Sequence, residues 1–366
     1  MLLLPVILLL ANTEGTCAVR VPDPSDCLLL GPVTPGDPVS RPVYPVSQRT
    51  LDGEELLKIG DLHEVQNHLQ EALPYYQRAL SAFRVKRDRR GEATALVRIG
   101  TLRERQGQYS EAASALREAV SISSAGGDEA LRARALISLG RVAGALGRPA
   151  EARENYEEAA ALFRRLHDQQ GYTEALIQLA ELTAAEGKPE DAMTLLRTAL
   201  TDAEGRSDRR QQFHAVILIG DVQLHQGKAD GARDMYERGL QLTDAQRDLR
   251  GEADTRIRLA KLHSAAGRPA DGISMAQRAL ALYQSLRDRS READTLSLLG
   301  NLYLDQGNPV LAAEQHGKAL SLYRALRDPV REAASLTNLA VAYEAQGELQ
   351  DAQETRNKAI FLLQPR

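Results

Sequence analysis

The sequence predicts an all-α protein, a right-handed α-solenoid of about eight helix-turn-helix units, and three observations carry that expectation. Glycine or its nearest substitute alanine recurs every 40 residues, at Gly60, Gly100, Gly140, Ala180, Gly220, Ala260, Gly300 and Ala340, each preceded by Ile or Leu. A long strict period marks supersecondary units stacked in a row. A second glycine column runs from Gly107 through Gly147, Gly187, Gly227, Gly267 and Gly307 to Gly347, with Asn67 standing in at the first unit. An aspartate column, Asp88, Asp128, Asp168, Asp208, Asp248, Asp288 and Asp328, closes each unit.

The chain opens on MLLLPVILLLA, an apolar run about as long as a signal-peptide core and too short to span a bilayer as a helix. Residues 1–18 are therefore expected to be a signal peptide or hydrophobic leader with cleavage after Ala18, although the first basic residue is Arg20. Residues 19–50 carry Pro22, Pro24, Pro32, Pro35, Pro38, Pro42 and Pro45 and read as an extended linker. The only cysteines, Cys17 and Cys27, lie in this region. They can form a small disulfide loop if cleavage precedes Cys17, and Cys27 is left unpaired if it follows Ala18.

The array is expected over 51–366, in units of about 51–88, 89–128, 129–168, 169–208, 209–248, 249–288, 289–328 and 329–366. Within a unit the apolar residues recur at helical spacing, for example Leu296, Leu299 and Leu302 and then Ala312, Ala319 and Leu320, and no period-2 run occurs. Each unit is therefore two helices. The second glycine takes φ > 0 to end the first helix. The aspartate caps the first helix of the following unit, worth roughly 1 kcal/mol each. Small residues in the Gly60 and Ala72 columns allow the paired helices to approach closely, and Leu and Ile fill the space between pairs.

At these positions the chain resembles the tetratricopeptide repeats. The family pattern W-x2-L-G-x2-Y, then A-x3-F, then A, is matched by Leu296-x2-Leu299-Gly300-x2-Tyr303, Ala312-x3-His316 and Ala319, with Leu in place of Trp. The 40-residue unit makes it similar in repeat length to kinesin light chains and spindle-orientation adaptors. The resemblance implies a protein-interaction scaffold that holds a partner segment in a concave groove lined by the first helix of each unit.

Composition and motifs point the same way. The 46 Lys and Arg against 50 Asp and Glu give a net charge of −4, with acids and bases interspersed and no electrostatic footprint for nucleic acid. No zinc-spaced Cys or His pair, phosphate-cradling loop or nucleophile elbow occurs, so no catalytic residue, cofactor or metal is expected. One helical stripe at i, i+4, i+7 and i+11 maps the groove. It begins basic, with Arg98, Arg105, Arg134 and Arg141 expected to engage acidic groups of a protein or peptide partner unless they pair with Glu104, Glu174 or Glu181. It continues through Gln178, Leu218, Asp221, Arg258, Lys261, Leu298 and Asn301 to Asn338. The carboxylate-clamp version of the family is disfavoured by Val97, Thr101, Ser138, Glu174 and Gln178 at its positions. Ile360, Leu362 and Leu363 lie in columns that earlier units bury, so this C-terminal edge is expected to self-associate or dock a partner. The expectation is a non-enzymatic scaffold, exported in a bacterium; the alternative is a cytoplasmic peptide-sensing or signalling regulator built on the same array.

Overall fold

The computed structural model describes residues 51–66 and 68–364. The leader, the Pro-rich segment and both cysteines lie outside them. Among the described residues there are sixteen α-helices and no strand. They form eight consecutive hairpins: α1 (Gly53–Val65) with α2 (Leu69–Lys86), α3 (Arg89–Arg105) with α4 (Tyr109–Ala125), α5 (Glu129–Ala145) with α6 (Pro149–Arg165), and α7 (Gln169–Ala185) with α8 (Pro189–Gly205). The array continues with α9 (Arg209–His225) and α10 (Ala229–Gln246), α11 (Leu249–Ala265) and α12 (Pro269–Ser285), α13 (Arg289–Asp305) and α14 (Pro309–Leu326), and α15 (Pro329–Gln346) and α16 (Leu349–Leu362). None of these helices is long and apolar enough to cross a membrane.

Every helix packs on its chain neighbours, and a second set of contacts gives the array an inside. α1 meets α3, α3 meets α5, α5 meets α7, α7 meets α9, α11 meets α13 and α13 meets α15, whereas no two successive even-numbered helices meet to that extent. The odd-numbered helices therefore line the shorter, inner side. Each unit buries its apolar face only against its neighbours, which is how a solenoid holds itself.

The aspartate and glycine columns act locally as their chemistry predicts. All seven aspartates accept a hydrogen bond from the backbone N–H three residues on, from Asp88 with Gly91 at 2.9 Å to Asp328 with Arg331 at 3.0 Å. The turn glycines are left-handed, from Gly107 at φ 74° to Gly347 at φ 84°. A feature the sequence did not announce lies at the other end of each hairpin. The residue before each capping aspartate is also left-handed, and except at Gly127 it carries a side chain, as at Arg87 (φ 54°) and Arg327 (φ 56°).

The Gly60 column is explained by what lies beneath it. A Cβ on Gly60 would sit 2.4 Å from the ring of Tyr76, on Gly140 2.4 Å from Tyr156, on Gly220 2.6 Å from Tyr236 and on Gly300 2.5 Å from His316. Ala180 stands above Leu196 and Ala260 above Ala276, whereas Gly100 also covers a leucine, with Leu116 2.5 Å from where its Cβ would sit. Gly140→Ala is therefore expected to cost about 1–3 kcal/mol. Much of that loss should be absent when Tyr156→Leu is already in place; strictly additive losses in urea unfolding would refute the contact.

His316 occupies the aromatic position of the seventh unit, fully buried, and neither ring nitrogen has a hydrogen-bond partner among the described residues. Burial pushes its pKa from 6.5 down to about 4. Between those values the unfolded chain binds more protons than the folded one, so stability is complete above the upper value and is lost as the pH falls through the window. The loss amounts to about 3 kcal/mol. His316→Leu should remove this dependence and raise the melting temperature at pH 5; an unchanged slope of melting temperature against pH would count against it.

Candidate functional site

The inner surface is tied to the core through the residues under the glycine column. The Tyr76 hydroxyl passes beneath α1 and lies 2.7 Å from Asp61 and 2.8 Å from Glu64, with its one proton to donate to either carboxylate. Tyr236 likewise donates to Asp221 at 2.7 Å. Burial first, and then these carboxylates, raise both phenol pKa values above their ordinary range. Tyr156 lies beneath α5, where the corresponding groove residue is Arg141 and cannot accept, so its hydroxyl reaches across to Gln178 at 3.4 Å. In the remaining units of this register the column holds Leu116, Leu196, Ala276, His316 and Arg356. Glu181, Lys261 and Asn301, which stand over Leu196, Ala276 and His316, receive no such bond from below.

A second layer of bonds joins each repeat to the one before it. Arg98 pairs with Asp61 at 3.2 Å, Arg105 with Glu64 at 2.7 Å, and Arg141 grips Glu104 through two nitrogens at 2.9 and 3.1 Å. Arg258 meets Asp221 at 3.0 Å. Burial opposes the charge of Arg141 and Arg258, but Glu104 and Asp221 outweigh it and hold both pKa values above the ordinary guanidinium range. Asp254 and Asp294 are similarly taken by Tyr283 and Tyr323 from the paired helices. Three of the four arginines of the basic stretch thus hold acids of the preceding repeat, and Glu104 is the partner of Arg141.

Some groove charges are left over. Arg134, Glu174, Glu181, Arg210 and Lys261 are exposed, and none makes a hydrogen bond or ion pair within the described protein. They lie on α5, α7, α9 and α11. Desolvation on this concave face, with Asp221 nearby, raises the Glu181 pKa. Desolvation on this face, and then Arg210, lower that of His214. Between α5, α7 and α9 opens a cavity of about 300 Å³ lined by Arg141, Gln170, Glu174, Ile177, Gln178, Asp208, Arg210, Gln211 and His214.

The other residues read from the stripe lie along the same surface but outside this cavity. Leu218 and Leu298 are half-buried, packed onto the clusters around Leu196 and Leu299. Asn301 is exposed and Asn338 half-buried on α13 and α15. At the C-terminal edge Ile360 and Leu363 are exposed, while Leu362 packs against the cluster containing Leu336 and Leu339. Among the described residues no group of three or more His, Cys, Asp or Glu is placed to hold a metal.

Several residues around the cavity escaped the stripe reading, Arg210, Gln170 and Gln211 among them. Arg210 shares a column with Arg90 and Arg250, which pair with the capping aspartate of the next repeat, Asp128 at 3.1 Å and Asp288 at 2.7 Å. Arg210 makes no such pair and faces the cavity instead. Gln170, in the same column, adds a free amide, and Gln211 is held by Arg206 and by the Gln170 carbonyl, both at 2.7 Å. Comparing the column across repeats flags Arg210, because its register alone resembles a structural ion-pair position.

Consecutive helical hairpins with an inner surface of variable polar residues define a helical-repeat solenoid. The chain belongs to the tetratricopeptide repeat family, whose models match residues 54–125, 131–205 and 291–360 and, in a second form, 257–321. No curated protein sequence matches it. The fold is similar to that of the apo quorum sensor NprR from B. thuringiensis, at 15% identity over 87% of this chain and 90% of that one, with a TM-score of 0.64. A signal-transduction ATPase with a tetratricopeptide repeat sensor from Pyrococcus horikoshii aligns at 16% identity and TM-score 0.64, over 84% of this chain and 47% of its own length. BtubC from P. vanneervenii aligns at 23% identity over 58% of this chain and 93% of that one, with a TM-score of 0.54.

The division into spent and spare charges is measurable. Asp221→Ala leaves the Tyr236 hydroxyl and the Arg258 guanidinium without their acceptor and should cost about 2 kcal/mol. Arg134→Ala and Lys261→Ala should each stay within about 0.5 kcal/mol of the parent. Equal effects in chemical denaturation would contradict this assignment.

Proposed function

We propose that the chain is a non-enzymatic protein-interaction scaffold that holds a segment of a protein partner along its inner surface, over α5 to α11. The observation that carries this reading is the distribution of unspent charge. From α3 to α15, the groove residues with a charge and no partner within the protein fall on α5, α7, α9 and α11, beside the cavity of about 300 Å³. An exposed charge with no internal partner keeps its hydration and is open to an incoming group of opposite sign. Leu218 and Ile177 supply apolar contact among them, the mixture expected of a surface that takes an extended segment.

A second reading, a regulator that senses a short free peptide, is favoured by the similarity in fold to a quorum sensor and to a sensor domain of a signal-transduction ATPase. Both readings place the ligand on the same surface and differ in whether it is a peptide or part of a protein.

Cross-linking in the native cell followed by mass spectrometry tests the site and separates the two. Gln178→Trp fills the cavity, whereas Arg197→Glu changes an exposed charge on α8, an even-numbered helix outside the inner layer. Partner cross-links should fall about tenfold with Gln178→Trp and stay at parent level with Arg197→Glu. Undiminished cross-linking in Gln178→Trp would overturn the groove reading.

A further inference from the structure

The unspent groove charges are ordered by sign from helix to helix. α5 offers the cation Arg134, α7 the anions Glu174 and Glu181, and α9 the cation Arg210. The other charged groups around the cavity are already engaged. Arg141 is gripped by Glu104. Asp208 caps α9 through Gln211 N–H and lies 3.4 Å from Arg206. The repeat supplies its own control for Arg210, since Arg90 and Arg250 in the same column are neutralised by Asp128 and Asp288. α5 touches α7 and α7 touches α9 along the inner surface. Packed helices lie about 8–10 Å apart, and an extended chain advances about 3.3 Å per residue. A segment crossing them therefore passes from one helix to the next in about three residues.

We propose, on the basis of the groove reading above, that the partner is an extended peptide segment whose side chains run acidic, basic, acidic, about three residues apart, across α5, α7 and α9. The first acidic side chain meets Arg134, the central ammonium or guanidinium meets Glu174 and Glu181, and the second acidic side chain enters the cavity to meet Arg210. Gln170 and the imidazole of His214 stand beside that carboxylate as further polar contacts. Because the order is symmetric, it holds for either direction of the bound chain. Lys261 on α11 extends the pattern by one more acidic position.

Three isomeric peptides, acetylated and amidated so that only side chains carry charge, test the order at constant composition. They are Glu-Thr-Ser-Lys-Thr-Ser-Glu, Lys-Thr-Ser-Glu-Thr-Ser-Glu and Glu-Thr-Ser-Glu-Thr-Ser-Lys, titrated by fluorescence anisotropy at low salt. The central-lysine isomer should bind about tenfold more tightly than either of the others. Arg210→Gln should weaken it, Arg90→Gln should not, and Glu174→Gln with Glu181→Gln should reduce the difference between isomers to less than about twofold. Equal affinities, or equal effects of Arg210→Gln and Arg90→Gln, overturn the charge order. If the isomers bind equally and Gln178→Trp abolishes all three, the groove reading stands and only the order falls. If none binds at millimolar concentration, the order is likewise overturned, and the cross-linking experiment decides the groove separately.

Discussion

The closest approach in each hairpin, where an odd-numbered helix passes over one side chain of its partner, governs the rest of the molecule. Gly60 over Tyr76, Gly140 over Tyr156 and Gly220 over Tyr236 leave no room for even a methyl group. That proximity sets the spacing within the hairpin. It also brings the phenol tip out on the inner face, where Asp61 and Asp221 accept from it. At Tyr76 and Tyr236 one packing choice therefore sets both the core and the state of the carboxylate above it. Where Leu196 or Ala276 replaces the tyrosine, the residue above, Glu181 or Lys261, is left to solvent. Two of the free groove charges, Glu181 and Lys261, stand above these smaller side chains.

The architecture was legible in the sequence because it depends on residues whose conformational demands are local. An aspartate three residues before a free N–H finds it whatever the tertiary context, and a glycine after a helix turns left-handed for the same reason. Eight copies of each signal made the period unambiguous. The left-handed residues at Arg87, His167, Arg247, Arg287 and Arg327 were not legible, because nothing in an Arg-Asp or His-Asp pair requires positive φ. The hairpin-to-hairpin geometry imposes it, at a strain of about 1 kcal/mol for each residue with a Cβ.

The candidate site was legible only in outline. The stripe placed Arg141 and Gln178 on the inner face, and the structure brings both to one cavity with Glu174 and His214. Which charges remain available was out of reach, because an arginine side chain samples acids on its own helix, on the next turn and on the preceding repeat. Arg98, Arg105 and Arg141 look alike in the sequence to Arg134, yet only Arg134 is without a partner. The choice depends on whether an acid of the previous unit lies within reach, as Asp61, Glu64 and Glu104 do.

A solenoid couples each unit mainly to its neighbours, so a charge changed at the groove disturbs stability only as far as its own bonds extend. Replacing a spent charge such as Asp221 breaks a bond to the core and another to the next repeat, and evolution at that position is constrained by folding. A spare charge such as Glu181 or Arg210 is bonded to neither, so replacing it breaks no bond of the fold. The separation runs through single helices: on α9, Asp221 serves the fold while Arg210, three turns away, is free of it. A repeat array can in this way change its groove charges without changing its core.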